Sequence, residues 1–413
     1  MDSAPPAPRI DPGQIPPDPA KVLRRLSQEG FDAYLVGGCV RDLLLDLHPK
    51  DFDIATNARP RQIKRLFRNS RIIGRRFRLV HVQFGPEILE VSTFRAPPQP
   101  DEADPMIRQD NVFGTEEQDA FRRDFTINAL FYDMKHGRVI DHVGGLEDLA
   151  ARRIRMIGDP DLRLREDPVR ILRAAKFAGR LGFELTPELA AAARNHARDL
   201  EKAAPPRVLE EIYRLLSNRG GARAFRLLEE LGALAVLLPE ISPPPESFYR
   251  SVEALEELSG GARGGIPQSL MISVLLAPVV MPRIAAQPPT DYEAVATDVM
   301  RPIVHRLTIA RRDATIARHC LAAQMRLLEP PATRHARRIA HGESFREVLA
   351  LRRMLGPAAP VDPDPFPEWE ALLGQPEEGG HGGRRRRRRR RRRGGRGGGH
   401  GAPDAGGPAA GPA

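Results

Sequence analysis

The sequence predicts an α+β chain. A sheet-bearing head with helices covers 21–157, helical regions follow over 158–242 and 243–373, and low-complexity ends lie at 1–20 and 374–413. Three observations carry this prediction. Short β-rich runs broken by glycine turns recur between residues 34 and 141, and from about residue 157 apolar residues recur at helical spacing. After Gly374 the chain is mostly Gly, Pro and Arg, with an uninterrupted arginine run over 384–393. Such a composition cannot bury a core and predicts a disordered tail.

Residues 1–20 are rich in proline and polar residues and are expected to be disordered. A short helix over 22–29 leads into a strand at Tyr34-Leu35-Val36, which the pair Gly37-Gly38 breaks. Glycine lets the backbone turn sharply and approach a ligand closely, since no Cβ stands in the way. A helix over 40–47 follows and is stopped by Pro49. A glycine turn opening a helix offers free N–H groups and the positive end of the helix dipole to an anion. Arg41, in the first turn, can reach the same anion.

Next comes Lys50-Asp51-Phe52-Asp53-Ile54. On a strand, Asp51 and Asp53 point to one face and Phe52 to the other. Two carboxylates so close are costly unless a cation joins them. Mg²⁺ held by carboxylates and substrate phosphates is the usual solution. Alone, Asp-x-Asp is an ordinary solvated strand end, and Gly-Gly an ordinary turn. About one helix apart, they are the equipment of two-metal phosphoryl transfer.

Pro60 starts a helix within 58–69, with Ile63, Leu66 and Phe67 on one face. Strands over 77–84 and 87–94 form a hairpin turning at Gly85-Pro86. Glu90, in the second strand, is either a third acid near the metals or an exposed strand residue. The basic cluster Gly74-Arg75-Arg76-Phe77-Arg78 suits phosphate contact or a solvated turn. Residues 97–111 read as a mobile surface loop, and 130–141 as a hairpin turning at Gly137. Between them, Arg122-Arg123-Asp124 brings two cations and an acid together. Asp124 is either an N-cap or a group near a ribose hydroxyl or the metals, with Arg122 or Arg123 on phosphate.

In Arg165-Glu166-Asp167-Pro168-Val169-Arg170, Asp167 reads as an N-cap and Pro168 as the first helical residue. Ile171, Ala174, Ala175, Ala178 and Leu181 then share one face, opposite Arg170, Arg173, Lys176 and Arg180. A basic face is usually solvated. Glu166 or Asp167 beside Arg170 is more suggestive, because a carboxylate and a guanidinium together can match the edge of adenine. Helices over 208–216 and 222–238 follow, and prolines at 243–245 break the pattern. The helical region over 248–373 carries no readable chemistry, and Trp369 reads as core.

With 64 Lys+Arg against 54 Asp+Glu, a net charge of +10 and a pI near 10.1, the chain favours a polyanionic partner. The arginine run over 384–393 would bind RNA or DNA phosphates without reading sequence. Cys39 and Cys320 form no metal-type spacing and fit a reduced, cytoplasmic protein. No export signal and no 18-residue apolar run is read, so no membrane association is expected.

These motifs, spread over about 30–240, resemble the class II template-independent RNA nucleotidyltransferases, which include tRNA CCA-adding enzymes and bacterial poly(A) polymerases. The carriers are Leu35-Val36-Gly37-Gly38-Cys39-Val40-Arg41-Asp42, Asp51-Phe52-Asp53, Arg122-Arg123-Asp124-Phe125-Thr126-Ile127-Asn128-Ala129 and Arg165-Glu166-Asp167-Pro168-Val169-Arg170. The stretch 72–82 and the Arg-rich tail are similar to the poly(A) polymerase branch. The resemblance implies a mixed-sheet nucleotidyltransferase head followed by all-α neck and body. It implies Asp51 and Asp53 on two Mg²⁺, with Glu90 less firmly matched. Gly37, Gly38 and Arg41 fall at the triphosphate, Asp124 with Arg123 at catalysis or the ribose, and Asp167, Arg170 and Arg173 at the base. The implied reaction adds AMP from ATP to the 3′ ends of mRNA and other transcripts, with RNA-decay machinery as a partner. The alternatives are CCA addition to tRNA and a non-catalytic RNA-binding adaptor, which the intact Asp51 and Asp53 argue against.

Overall fold

The computed structural model describes residues 10–74, 78–97, 99–100, 108–109, 112–259, 265–286, 291–332, 334–359 and 362–373. The cluster at Arg75, Arg76 and Phe77 and the arginine run over 384–393 lie outside the described residues.

The head is built from short, apolar strands whose ends carry turn residues. In chain order it contains α1 (Pro17–Gln28), β1 (Ala33–Val36), α2 (Gly38–Leu44), β2 (Ile54–Thr56), α3 (Pro60–Leu66) and β3 (Ser70–Ile73). Then come β4 (Leu79–Phe84), β5 (Glu87–Thr93), β6 (Gln99–Pro100), β7 (Arg108–Gln109) and α4 (Glu116–Phe121). The head ends with β8 (Phe131–Asp133), β9 (Arg138–Ile140), α5 (Gly145–Ala150) and β10 (Arg153–Ile154). Seven strands form one mixed sheet in the order β3-β4-β5-β2-β1-β8-β9. Only β2 and β5 run parallel, and the other neighbours are antiparallel. β1 is flanked on both sides, so Leu35 and Val36 are buried, with Leu35 opposite Ile54 and Tyr132. Val22, Leu23 and Leu26 of α1 cover one face of this core.

Three expectations change here. The chain is ordered from residue 10, because Ile10 and Ile15 bury their side chains in the head core. Residues 1–9 lie outside the described residues. The stretch 97–111, expected to be a loop, pairs Gln99 with Gln109 and Pro100 with Arg108. β2 begins at Ile54, so Asp51 and Asp53 precede the strand, although Asp53 still accepts a backbone bond from Val36 N–H at 3.0 Å.

The rest of the chain is helical. α6 (Pro160–Glu166), α7 (Arg170–Leu181), a short strand β11 (Glu184–Leu185) parallel to β10, α8 (Pro187–Asn195), α9 (Pro205–Ser217), α10 (Gly221–Glu230) and α11 (Ala233–Leu237) come first. α12 (Glu246–Ser259), α13 (Gln268–Ala285), α14 (Tyr292–Arg306), α15 (Arg311–Arg326), α16 (Arg334–Ala340), α17 (Phe345–Leu355) and α18 (Phe366–Glu370) follow. α7 approaches α10 so closely that a Cβ on Gly179 would stand 2.3 Å from the Gly220 carbonyl oxygen. One continuous core runs from Phe125 and Ile127 of the head through α7–α18, and it includes Trp369. Contrary to expectation, α13 is an 18-residue helix apolar enough by length and composition to cross a membrane. Most of it is buried against other helices.

Candidate active site

Where the C-terminal end of β1 faces α7, the chain encloses a cavity of about 560 Å³. Eight arginines and five acids line it, so its net charge is that of a host for a polyanion. A larger cavity of about 910 Å³ lies between α1 and the β8–β9 turn and holds none of the predicted site residues. Chemistry, not size, marks the site.

Gly37 ends β1 with φ 77° and ψ −130°, a conformation closed to residues with a side chain. A Cβ there would also come within 3.2 Å of Arg123 Nη1, so the glycine is what lets that guanidinium lie across the turn. α2 starts at Gly38, earlier than predicted, and has only seven residues. Its dipole is correspondingly modest, and attraction for an anion falls mainly on the arginines.

Arg41 departs from expectation. It is 1% exposed, donates through Nε and Nη2 to Asp42 Oδ1 at 2.9 and 2.7 Å, and through Nη1 to Asn128 Oδ1. Its guanidinium also stacks over Phe177 at 5.2 Å. Asp42 Oδ2 accepts from Arg180 Nη2 at 2.7 Å, so Arg41 and Asp42 together clamp the glycine turn to α7. Arg41 borders the cavity as part of this clamp, not as a free phosphate-binding arm.

On the sheet side, Asp51 and Asp53 are exposed, and Glu90 lies on β5, the neighbour of β2. Glu90 also meets His81 Nε2 at 3.3 Å. Partial burial, then the charges of Glu90 and Asp51, push the Asp53 carboxyl up to about 6 against the pull of Arg123. Among the described residues no three acids, histidines or cysteines close into a metal cage. The donor set still suits Mg²⁺, which keeps waters and substrate phosphates and needs only one or two carboxylates. Like-charged acids only partly offset by His81 and Arg123 are what such an ion would neutralise.

Asp124 is not an N-cap, because the 3₁₀ turn Thr126–Asn128 that follows has Phe125 at its cap. Its Oδ1 accepts from Phe125 N–H at 2.9 Å, and its Oδ2 accepts from Arg173 Nε at 2.7 Å and Nη2 at 2.6 Å. Burial alone would raise its pKa, but Arg173 holds it below the usual carboxylate range. Arg173 also reaches Glu211 Oε1 at 3.4 Å, and Glu211 accepts from Lys176 Nζ at 2.7 Å and from Arg214. Arg123 and Arg122 are both bound to the buried Asp119, three and four residues before them. The basic face of α7 is therefore turned into the cleft and paired, not solvated.

Asp167 terminates α6, and α7 begins at Arg170. Pro168 holds Asp167 extended (φ −152°, ψ 90°), and Asp167 caps the C-terminus of α6 while Val169 takes the N-cap of α7. Its Oδ2 accepts from Arg207 Nη2 at 2.7 Å, while Oδ1 is buried with no partner. Arg170 Nη1 is held by the Arg163 carbonyl and by Glu166 Oε2 at 3.3 Å. Gly37, Gly38, Arg41, Asp53, Arg123, Asp124, Asp167, Arg170 and Arg173 thus line one cavity, and Asp51 and Glu90 stand outside its lining. Sequence reasoning missed Asp119, Arg207 and Glu211, and it gave Asp42 and Arg180 no role of their own. For Asp119 the only signal was its spacing of three and four residues from two arginines on a helix.

Residues 33–155 match the Poly A polymerase head domain, and 182–243 match the probable RNA and SrmB-binding site of polymerase A. Poly(A) polymerase I of Salmonella typhi is 48% identical over 231 residues, covering 54% of this chain and 50% of the relative. The Haemophilus influenzae Poly(A) polymerase I is 44% identical over 244 residues, 56% of this chain and 54% of that one. The CCA-adding enzyme of Lactobacillus helveticus is 39% identical over 208 residues, 50% and 51% of the two chains. The aligned region spans about half the length of these curated relatives. Among solved structures, the Bacillus stearothermophilus CCA-adding enzyme in complex with CTP aligns with a TM-score of 0.64 and 28% identity, covering 87% of this chain and 82% of that one. The Thermotoga maritima CCA-adding enzyme complexed with tRNA shares the fold, with a TM-score of 0.56 and 19% identity over 87% and 83%.

Proposed function

We propose that this chain, which carries a Poly A polymerase head and the RNA-binding segment of that polymerase, adds AMP from ATP to RNA 3′ ends without a nucleic-acid template. In the reaction the RNA 3′-oxygen bonds to the α-phosphorus of ATP, and the bond from that phosphorus to the bridging oxygen breaks. Pyrophosphate leaves with the bridging electrons, and the hydroxyl proton passes to solvent. Asp51 and Asp53, with Glu90 beside them, would hold Mg²⁺. When bound, the two ions would supply charge neutralisation at the phosphates and a more acidic 3′-hydroxyl. The glycine turn lets the triphosphate come close to the backbone, and Arg122 and Arg123, fixed by Asp119, face it. Asp124 and Arg173 orient the ribose end of the nucleotide.

One observation carries the reading. Asp167 Oδ1 is a buried acceptor without a donor, in the same cleft as Asp53. An unmet buried acceptor is costly, and the N6 amino group of adenine is a donor that meets it. Arg170 then offers N–H groups to a ring acceptor. Arg170 is pinned by Glu166 and the Arg163 carbonyl, which suits a template for one base better than one that alternates between two. The RNAs served would be mRNA and other transcripts, and their tails would bring the enzyme to RNA-decay machinery. CCA addition is the second reading, favoured by the fold shared with the CTP-bound CCA-adding enzyme. The test supplies purified protein with each NTP alone, on unstructured RNA and on tRNA lacking its end. Long extension with ATP on unstructured RNA supports the proposal. Efficient use of CTP, with growth that stops after C-C-A on tRNA alone, overturns it in favour of the second reading.

A further inference from the structure

Far along the chain from the catalytic cleft, α14 and α15 are joined by a turn in which Thr308 takes φ +54°, and they border a groove of about 630 Å³. Its floor is apolar: Met300 and Ile309 are buried, and Val304 and Ala314 half-buried. Its rim is Arg301, His305, Arg311 and Arg318, and no carboxylate lines it. Among the described residues neither His305 nor Arg311 has an acidic partner. Arg318 is tethered by Nη2 to Glu293 at 3.5 Å and by Nη1 to Thr297 Oγ1 at 3.5 Å, yet its Nε is buried with no acceptor. A cationic rim around an apolar floor, with one donor left unmet, describes half of an interface.

We propose that this groove docks an acidic amphipathic helix of a partner protein. The helix would lay its apolar face on Met300, Val304, Ile309 and Ala314 and set its carboxylates against Arg311 and Arg318, since Arg301 is already paired with Asp298 at 2.7 Å. Charge complementarity selects this occupant. The chain's own arginine run over 384–393 is repelled by the rim. Single-stranded RNA is disfavoured because no Phe, Tyr or Trp lines the groove as a stacking platform for successive bases. The inference does not depend on the polymerase reading.

The test uses the full chain and a labelled synthetic peptide of about four helical turns, with leucines on one face and glutamates on the other. A scrambled peptide of the same composition cancels binding to the arginine run. The patterned peptide should bind about tenfold more tightly than the scrambled one. Ala314→Trp, which fills the groove, and Arg311→Glu, on its exposed rim, should each remove that difference while thermal melts stay unchanged. Equal binding of the two peptides overturns the proposal, as does a preference that survives both variants. Selective displacement of the patterned peptide by oligo(A) also overturns it and makes the groove a nucleic-acid surface.

Discussion

On the helical side of the cleft, Asp42, Asp124 and Glu211 are each enclosed and each saturated by arginine or lysine. On the sheet side, Asp53 meets Glu90 and Asp51, and only Arg123 offsets them. The same residue type has been given opposite surroundings a short way apart. A buried carboxylate that keeps its cations belongs to the scaffold, since breaking such a pair leaves an uncompensated charge. A carboxylate left among its own kind is incomplete until something positive arrives. On the proposed function, the helical side positions and the sheet side would carry the chemistry.

The largest expected effect tests the incomplete side. Asp53→Ala should lower nucleotide incorporation by on the order of 10³-fold, about 4 kcal/mol of transition-state stabilisation. RNA binding should stay near that of the parent. Single-turnover assays with labelled ATP measure the rate. More than roughly a tenth of the activity remaining, a loss of only about 1.4 kcal/mol, would contradict the assignment.

The saturated side should fail differently. Glu211→Ala leaves Lys176, Arg173 and Arg214 without their shared acceptor, and should cost about 3 kcal/mol of folding stability. Urea denaturation reads this loss directly. Acid should act in the same sense: cation partners hold Asp119, Asp124 and Glu211 below their ordinary pKa values. Their contribution is therefore complete above the unfolded carboxylate pKa, about 4, and is lost as pH falls through the depressed folded values. A melting temperature that stayed flat from pH 5 to about 3 would contradict this account.

An intermediate effect probes the one open position on the saturated side. Asp167→Asn keeps the shape but replaces one acceptor oxygen with a donor. Preference for ATP over CTP should fall by about 1–3 kcal/mol, the range of a base-edge contact. Turnover with ATP at saturation should change less. Competition between the two nucleotides in one reaction measures the ratio, and an unchanged ratio would remove Asp167 from base selection.

What could be read in advance follows the same division. Gly37-Gly38, Asp51, Asp53 and the Asp167–Arg170 segment are local patterns, and the proposed chemistry is built on them. A sheet-bearing head followed by helices was legible for the same reason, since period and turn residues are local, whereas β3 (Ser70–Ile73) was not read. The saturated pairs were not. Asp42 finds Arg180 across 138 positions, Asp167 finds Arg207 across 40, and Arg173 finds Asp124 across 49. No spacing rule reaches so far: the packing of α7 against the head creates the Asp42–Arg180 and Asp124–Arg173 contacts, and the approach of α9 to the end of α6 creates Asp167–Arg207. Asp167 was misread because an acid before proline suits either a helix start or a helix end. Here α6 runs on to Glu166 and Val169 takes the cap of α7, which decides for the end. Arg41 looked like a phosphate arm because sequence shows its position on α2 but not that Phe177 and Asn128 close over it.

The smallest effect is the sharpest test, because the comparison predicts its sign. Asp53 is pushed up to about 6 in the folded chain from an ordinary value of 3.8. A carboxyl raised in this way contributes stability below its unfolded pKa and loses that contribution as pH rises through its folded value. Without Mg²⁺ at pH 7.5, the ionised Asp53 should therefore be a liability. For a fully buried group the shift would be worth about 3 kcal/mol, and the solvent exposure of Asp53 screens that to about 1 kcal/mol. Asp53→Asn should accordingly raise the melting temperature of the metal-free protein at neutral pH. The gain should shrink on acidification through pH 6 and vanish near pH 3.8, where both side chains are neutral. Added Mg²⁺ should stabilise the parent more than the variant and narrow the gap from the other side. A variant less stable than the parent at pH 7.5 in chelator would mean that Asp53 is a saturated structural acid like Asp124, and the contrast between the two sides of the cleft would collapse.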